Sequence, residues 1–132
     1  MQLRIPSPLE PETENIVTNV IDGAVAVHKE LGPGLLERTY ADAMSIELRH
    51  RKIRFERERE ILLFYRGEPL RTHRIDLIVE DRMLLELKAV DRLAPVHRAQ
   101  VLSYLKASRL RLGLLINFNA DWLRGNIRRI IL

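Results

Sequence analysis

A chain of 132 residues, 46% apolar and 30% charged, is long enough to bury a hydrophobic core and fits one globular domain. The absence of cysteine excludes disulfides, iron–sulfur clusters and cysteine-ligated zinc, and agrees with a reducing, cytoplasmic setting. The net charge of +4 is concentrated: Arg49, Arg51, Lys52, Arg54, Arg57 and Arg59 face only Glu56 and Glu58, so the rest of the chain is close to neutral. Such a strip is either a footprint for binding phosphates or a solvated helix end continued by a charge-protected edge strand.

In chain order, residues 1–10 read as a flexible leader without signal-peptide or membrane-span character, ahead of a single domain over 11–132. Ile16, Val20, Ala24 and Val27 recur at helical spacing and predict a helix from Pro11 to Leu31, with Glu12 and Glu14 suiting its positive end. Gly32-Pro33-Gly34 ends it, and a second helix is expected over Leu36 to Lys52, burying Tyr40, Met44 and Leu48. From Ile53 the period becomes two. Ile53, Phe55, Ile61, Leu63 and Tyr65 share one parity and Glu56, Glu58 and Glu60 the other, which reads as a strand or two before a turn at Arg66-Gly67-Glu68-Pro69. Arg74–Val79 and Met83–Lys88 are short apolar runs around Glu80-Asp81-Arg82, a hairpin of central strands covered on both faces. A helix over Pro95–Ser108, a buried strand over Leu112–Phe118 and a closing strand over Ile127–Leu132 complete the order α-α-β-β-β-α-β-β. The fold class is α/β, a mixed (α+β) sheet with helices on its faces.

The hairpin carries three charges in poor places for charge. Glu86 and Lys88 project from one face of a strand that begins Met83-Leu84-Leu85, and Asp76 interrupts its partner between Ile75 and Leu77. Asp76 stands opposite Glu86 only if pairing is centred on Asp81, with a three-residue connection; a two-residue turn would divide the carboxylates between faces. Two hard oxygen ligands beside a lysine suit Mg²⁺ or Mn²⁺ and phosphoryl chemistry. The alternative is a plain cross-strand salt bridge between Asp76 and Lys88, with Glu86 at an exposed strand end. Gln100 and Tyr104 share a helix face with His97 and form either a stripe serving Lys88 or an ordinary helix surface. Tyr40 is expected in the core, Gly34 serves backbone geometry, His28 is a packing residue, and His73 points away from Asp76 by parity.

Gly34-Leu35-Leu36-Glu37-Arg38-Thr39-Tyr40 resembles the GxxExxY signature of a bacterial family placed within the PD-(D/E)XK nuclease superfamily. The similarity runs from about Asn15 to Leu132 and includes His28-Lys29-Glu30-Leu31-Gly32-Pro33-Gly34, Asp76-Leu77-Ile78-Val79, Glu86-Leu87-Lys88-Ala89-Val90, Gln100-Val101-Leu102-Ser103-Tyr104 and Gly113-Leu114-Leu115-Ile116-Asn117-Phe118. The resemblance implies a restriction-endonuclease-like core and metal-dependent hydrolysis of DNA phosphodiesters. It implies Asp76, Glu86 and the Leu87 carbonyl as metal ligands, Lys88 as the catalytic lysine and Glu37 as the helix-borne acid. Gln100 and Tyr104 match the Q-xxx-Y motif of the exonuclease-like branch. One departure is visible: Ile75 stands where a proline usually precedes the first acid. Backbone contacts from the basic strip, aided by Arg92 and Arg98, would bind DNA with little sequence preference. Alternatives are a catalytically inactive nucleic-acid- or partner-binding module on the same fold, and an assembly subunit that homodimerises through the apolar strands near the C-terminus.

Overall fold

The computed structural model describes residues 7–132; the leader expected over residues 1–10 lies outside them through residue 6. Of its remainder, Leu9 packs against the core and Ser7 bonds the Glu14 side chain. Three helices and five strands follow in the expected order: α1 (Pro11–Leu31), α2 (Glu37–His50), β1 (Phe55–Tyr65), β2 (Glu68–Val79), β3 (Met83–Lys88), α3 (Pro95–Ser108), β4 (Leu112–Asn117) and β5 (Ile127–Ile131). None of the described helices is long and apolar enough to cross a membrane.

Local chemistry accounts for the helix ends. Proline opens α1 and α3, where its missing N–H costs nothing. Gly32 ends α1 at φ 66, its N–H donating to the His28 carbonyl. The Tyr40 hydroxyl donates to the Gly32 carbonyl and accepts the Leu35 N–H, so this fully buried tyrosine staples the turn between α1 and α2. Its ring stacks on Phe118 with centroids 4.6 Å apart.

The sheet runs β1-β2-β3-β4-β5, antiparallel throughout except for the β3–β4 pair, which is parallel and bridged by α3. On one face α1 and α2 bury Val20, Ala24, Tyr40, Met44 and Leu48 against Leu77, Leu85, Leu87 and Leu114. On the other, α3 buries Val101, Tyr104 and Leu105 against Ile75, Ile78, Leu84 and Leu115. The buried strands β3 and β4 are central, as their apolar runs require.

Two sequence expectations need correction. The turn is Arg66-Gly67 alone, both with positive φ (53 and 78), and Glu68 and Pro69 already pair with Tyr65 and Phe64. Pro69 is tolerated because this stretch of β2 has β1 as its sole neighbour and lacks a second ladder. Shared parity also fails to mean a shared face. Phe55 packs with the α1–α2 side, whereas Ile61 and Leu63 pack with the α3 side; on β2, Leu77 and Ile75 part in the same way. The break falls at Glu58, whose φ is 54, and at Asp76, where pairing between the strands is interrupted. Both strands rotate there.

Gly113, inside β4, marks the closest approach of α3 to the sheet: a Cβ there would stand 2.7 Å from Val101 Cγ1 and 2.8 Å from Leu84 Cδ2. Gly113→Ala is therefore expected to lose about 1–3 kcal/mol of stability in chemical denaturation through overpacking. Unchanged stability would mean that α3 is free to lift from the strand.

Candidate active site

The β2–β3 register is centred on Asp81, with Val79 opposite Met83 and Leu77 opposite Leu85, and the connection is Glu80–Arg82. Glu80 and Asp81 both take positive φ (52 and 53). The odd-length loop expected from the chemistry is present, and Asp76 meets Glu86.

They meet where the backbone ladder stops. Beyond Leu77–Leu85, β2 leaves β3 and continues with β1 alone. The next rungs are made by side chains: Asp76 N–H donates to Glu86 Oε1 at 3.0 Å, and Leu87 N–H donates to Asp76 Oδ2 at 2.8 Å. Each carboxylate thus satisfies a backbone donor beside the other, which holds both in place. Glu86 is 3% exposed, which removes the alternative of a solvated strand end. Lys88 does not bridge to Asp76 either; its Nζ donates to Gln100 Oε1 at 2.8 Å.

The contact continues. Gln100 Nε2 donates to Tyr104 Oη at 3.1 Å, which leaves that hydroxyl free to donate to His73 Nδ1, 3.3 Å away. Lys88 is therefore oriented by a chain of polar groups from α3 to β2. His73 is the residue that sequence reasoning missed: parity sent it away from Asp76, but the strand rotates between them. His97 goes to a different task, its Nδ1 accepting the Ala94 N–H at the start of α3. His28 packs as expected, nearly buried, with Nε2 2.7 Å from the Ala120 carbonyl.

Glu37 stands in the first turn of α2, solvent-exposed at the rim of a cleft of about 320 Å³ that it shares with Asp76, Glu58, Arg38, Arg57 and Arg74. Of the basic strip, Arg57 alone lines this cleft. Arg51, Arg54, Arg57 and Arg59 are each ion-paired, with Glu47, Glu80, Asp42 and Glu56 respectively, while Arg49 lies 5.9 Å over the Phe55 ring and Lys52 makes no salt bridge among the described residues. The strip is thus largely neutralised in place. Arg57 Nε is the one buried side-chain nitrogen or oxygen among the described residues without a hydrogen-bond partner. Leu87 is fully buried in the core between Glu86 and Lys88.

The electrostatics follow from burial and from like charges held together. Burial first, then the Asp76 carboxylate, push the Glu86 carboxyl up to about 8. Burial also raises Asp76, against the Leu87 N–H and Lys88, which favour its charged form. Glu37 is raised by partial desolvation and then by Asp76, and Tyr104 by burial and then by the Glu86 charge. Glu86 therefore favours its protonated form at neutral pH when no cation is bound. Hard oxygen donors whose ionisation is held back by burial and by each other fit a divalent cation such as Mg²⁺ or Mn²⁺, whose charge would favour their ionised forms. Among the described residues no group of three or more His, Cys, Asp or Glu is close enough to form a ready-made cage. Two carboxylates with a third acid at the rim match a cation that retains water ligands.

The sign of the pH dependence is fixed by the raised value of Glu86. Its ordinary value is 4.5, so between there and about 8 the folded chain holds a proton that the unfolded chain has released. In chelator, the Glu86 contribution to stability is expected to be fully present below the unfolded value and to be lost as pH rises through about 8, read as a decline in Tm over that range. Glu86→Gln should flatten that slope, and Asp76→Asn should be neutral or stabilising in chelator because it removes the repelling charge. A clear loss of metal-free stability in Asp76→Asn would speak for the carboxylate as a structural ion-pair member.

The profile of the PD-(D/E)XK nuclease superfamily matches residues 14–130, which include every acid, the lysine and the α3 pair described above. No curated protein and no solved structure matches the chain. With its mixed five-stranded sheet, its helices on both faces and a match over nearly the whole length, the chain belongs to the PD-(D/E)XK nuclease superfamily.

Proposed function

We propose that this protein is a Mg²⁺- or Mn²⁺-dependent nuclease of the GxxExxY type that hydrolyses DNA phosphodiester bonds at Asp76, Glu86 and Lys88, reached through the cleft that Asp76 lines. The observation that carries the reading is the side-by-side placement of a buried carboxylate, Glu86, and a half-buried one, Asp76, with a lysine two residues beyond Glu86 on the same strand. A stable fold alone has no use for that arrangement, since burying like charges together disfavours ionisation of both.

In this reading Asp76, Glu86 and the Leu87 carbonyl hold the cation, with Glu37 as the acid at the rim. Bound there, the cation supplies Lewis-acid stabilisation of charge on the phosphoryl oxygens and a lowered pKa for water. Lys88 contributes a compact positive charge to the nonbridging oxygens as charge builds on them. Gln100 holds the Lys88 ammonium in one place, and Tyr104 and His73 hold Gln100. Arg38, Arg57 and Arg74 line the cleft and bind the phosphate backbone, the Arg57 Nε–H being unspent. Contacts of this kind position a strand without reading its bases.

The test is cleavage of linear, circular and single-stranded DNA with Mn²⁺. Wild-type protein is expected to cut, Lys88→Ala to lose about 10²-fold or more, and Gln100→Ala to lose about 10–100-fold through misplacement of the lysine. Salt-sensitive DNA binding without metal-dependent cleavage, unaffected by Lys88→Ala, would instead identify an inactive binding module. Arg57→Ala is expected to act differently, raising KM about 10-fold with a smaller change in kcat. An equal fall in kcat and kcat/KM would move Arg57 from strand binding to the chemical step.

A further inference from the structure

We infer that the cavity between the end of α1 and the loop after β4 is a nucleobase-binding subsite for the substrate strand, with Trp122 as its stacking surface. The inference rests on the nuclease reading and extends it from phosphate contacts to a base contact outside the catalytic cleft.

The cavity measures about 450 Å³, within the range of small-molecule sites. His28 and Lys29 at the end of α1, Pro33, and Trp122, Leu123 and Arg124 of the loop form its lining. Trp122 is 77% exposed, while the adjacent Leu123 is buried and anchors the loop. A large ring left in water beside a cavity has an unused face. Lys29 and Arg124 make no ion pair among the described residues, and Asp121 is the one acid at the rim, so the lining is net positive. A flat apolar surface flanked by free cations is complementary to a base attached to a phosphate.

The walls are tied together in advance. His28 Nε2 lies 2.7 Å from the Ala120 carbonyl, and Gly34 N–H donates to Asn119 Oδ1 at 3.1 Å. They are also continuous with the catalytic elements. Phe118 N–H donates to the Lys88 carbonyl at 2.9 Å as the chain enters the loop, and the Gly32–Gly34 turn leads into α2, which begins with Glu37. The cavity therefore adjoins the end of the sheet that carries Lys88.

Trp122 is the chain's single tryptophan, so its emission reports this site alone. The full chain, in chelator to prevent cutting, is titrated with a labelled single-stranded oligodeoxynucleotide and with an otherwise identical abasic one. The base-bearing strand is expected to quench the tryptophan and the abasic strand to leave it unchanged. By fluorescence anisotropy of the label, Trp122→Ala should bind roughly 5- to 100-fold more weakly while Trp122→Phe keeps most of the affinity. Arg124→Ala should lower the salt dependence of binding by about one charge. No binding, binding without a change in emission, or wild-type affinity in Trp122→Ala would each overturn the subsite. Mn²⁺-dependent cleavage measured in parallel separates the two readings: quenching without cleavage removes the nuclease and leaves the subsite, and cleavage with unchanged emission does the reverse.

Discussion

Two carboxylates that replace backbone carbonyls at the fork between β2 and β3 are the constraint on which this molecule is arranged. Where strands separate, their N–H groups lose partners, and a buried donor without one costs about 1–3 kcal/mol. Asp76 and Glu86 take the Leu87 and Asp76 N–H groups in a reciprocal pair, so the fork opens without orphaned donors. The acids cannot be exchanged for apolar residues without exposing that backbone. Their chemistry and the shape of the sheet are therefore the same feature.

The interlock also sets the conflict within the site. Each carboxylate is stabilised by an N–H and destabilised by its neighbour and by burial, and burial is the larger influence on both. The nearest ammonium is committed to Gln100 rather than to either acid. The strands around the site are packed on both faces by otherwise separate apolar clusters, so the frustration is confined to one end of a well-packed sheet.

Much of this was legible in the residues. Periodicity placed α1, α3 and β3 because their apolar runs are long or sharply bounded by proline and glycine. The demand that Asp76 and Glu86 share a face was enough to choose the loop length between their strands, since a register slip of one residue reverses every side chain. Parity failed in β1 and in the outer half of β2. Nothing in Arg57-Glu58-Arg59 announces a positive φ at a glutamate, and one such residue turns the strand over. That is why His73, counted as facing away, sits against Tyr104, and why Ile61 and Phe55 serve different cores. The basic strip is more fully paired than its local tally of charge suggested, because its partners Asp42, Glu47 and Glu80 are brought in by the fold or by the helix.

The strand order has a kinetic corollary. Every strand lies beside its neighbour in sequence, and all five contribute to antiparallel, hairpin-like pairings that close over connections much shorter than the α3 crossover. The β3–β4 pair instead must wait for the α3 crossover to be laid down, with the largest entropy of loop closure in the sheet. Assembly thus divides into two locally encoded halves, β1–β3 and β4–β5, joined late. The paired acids lie in the first half, while Gln100 and Tyr104 arrive with the crossover, so the lysine gains its orientation only when the last seam of the sheet is sealed.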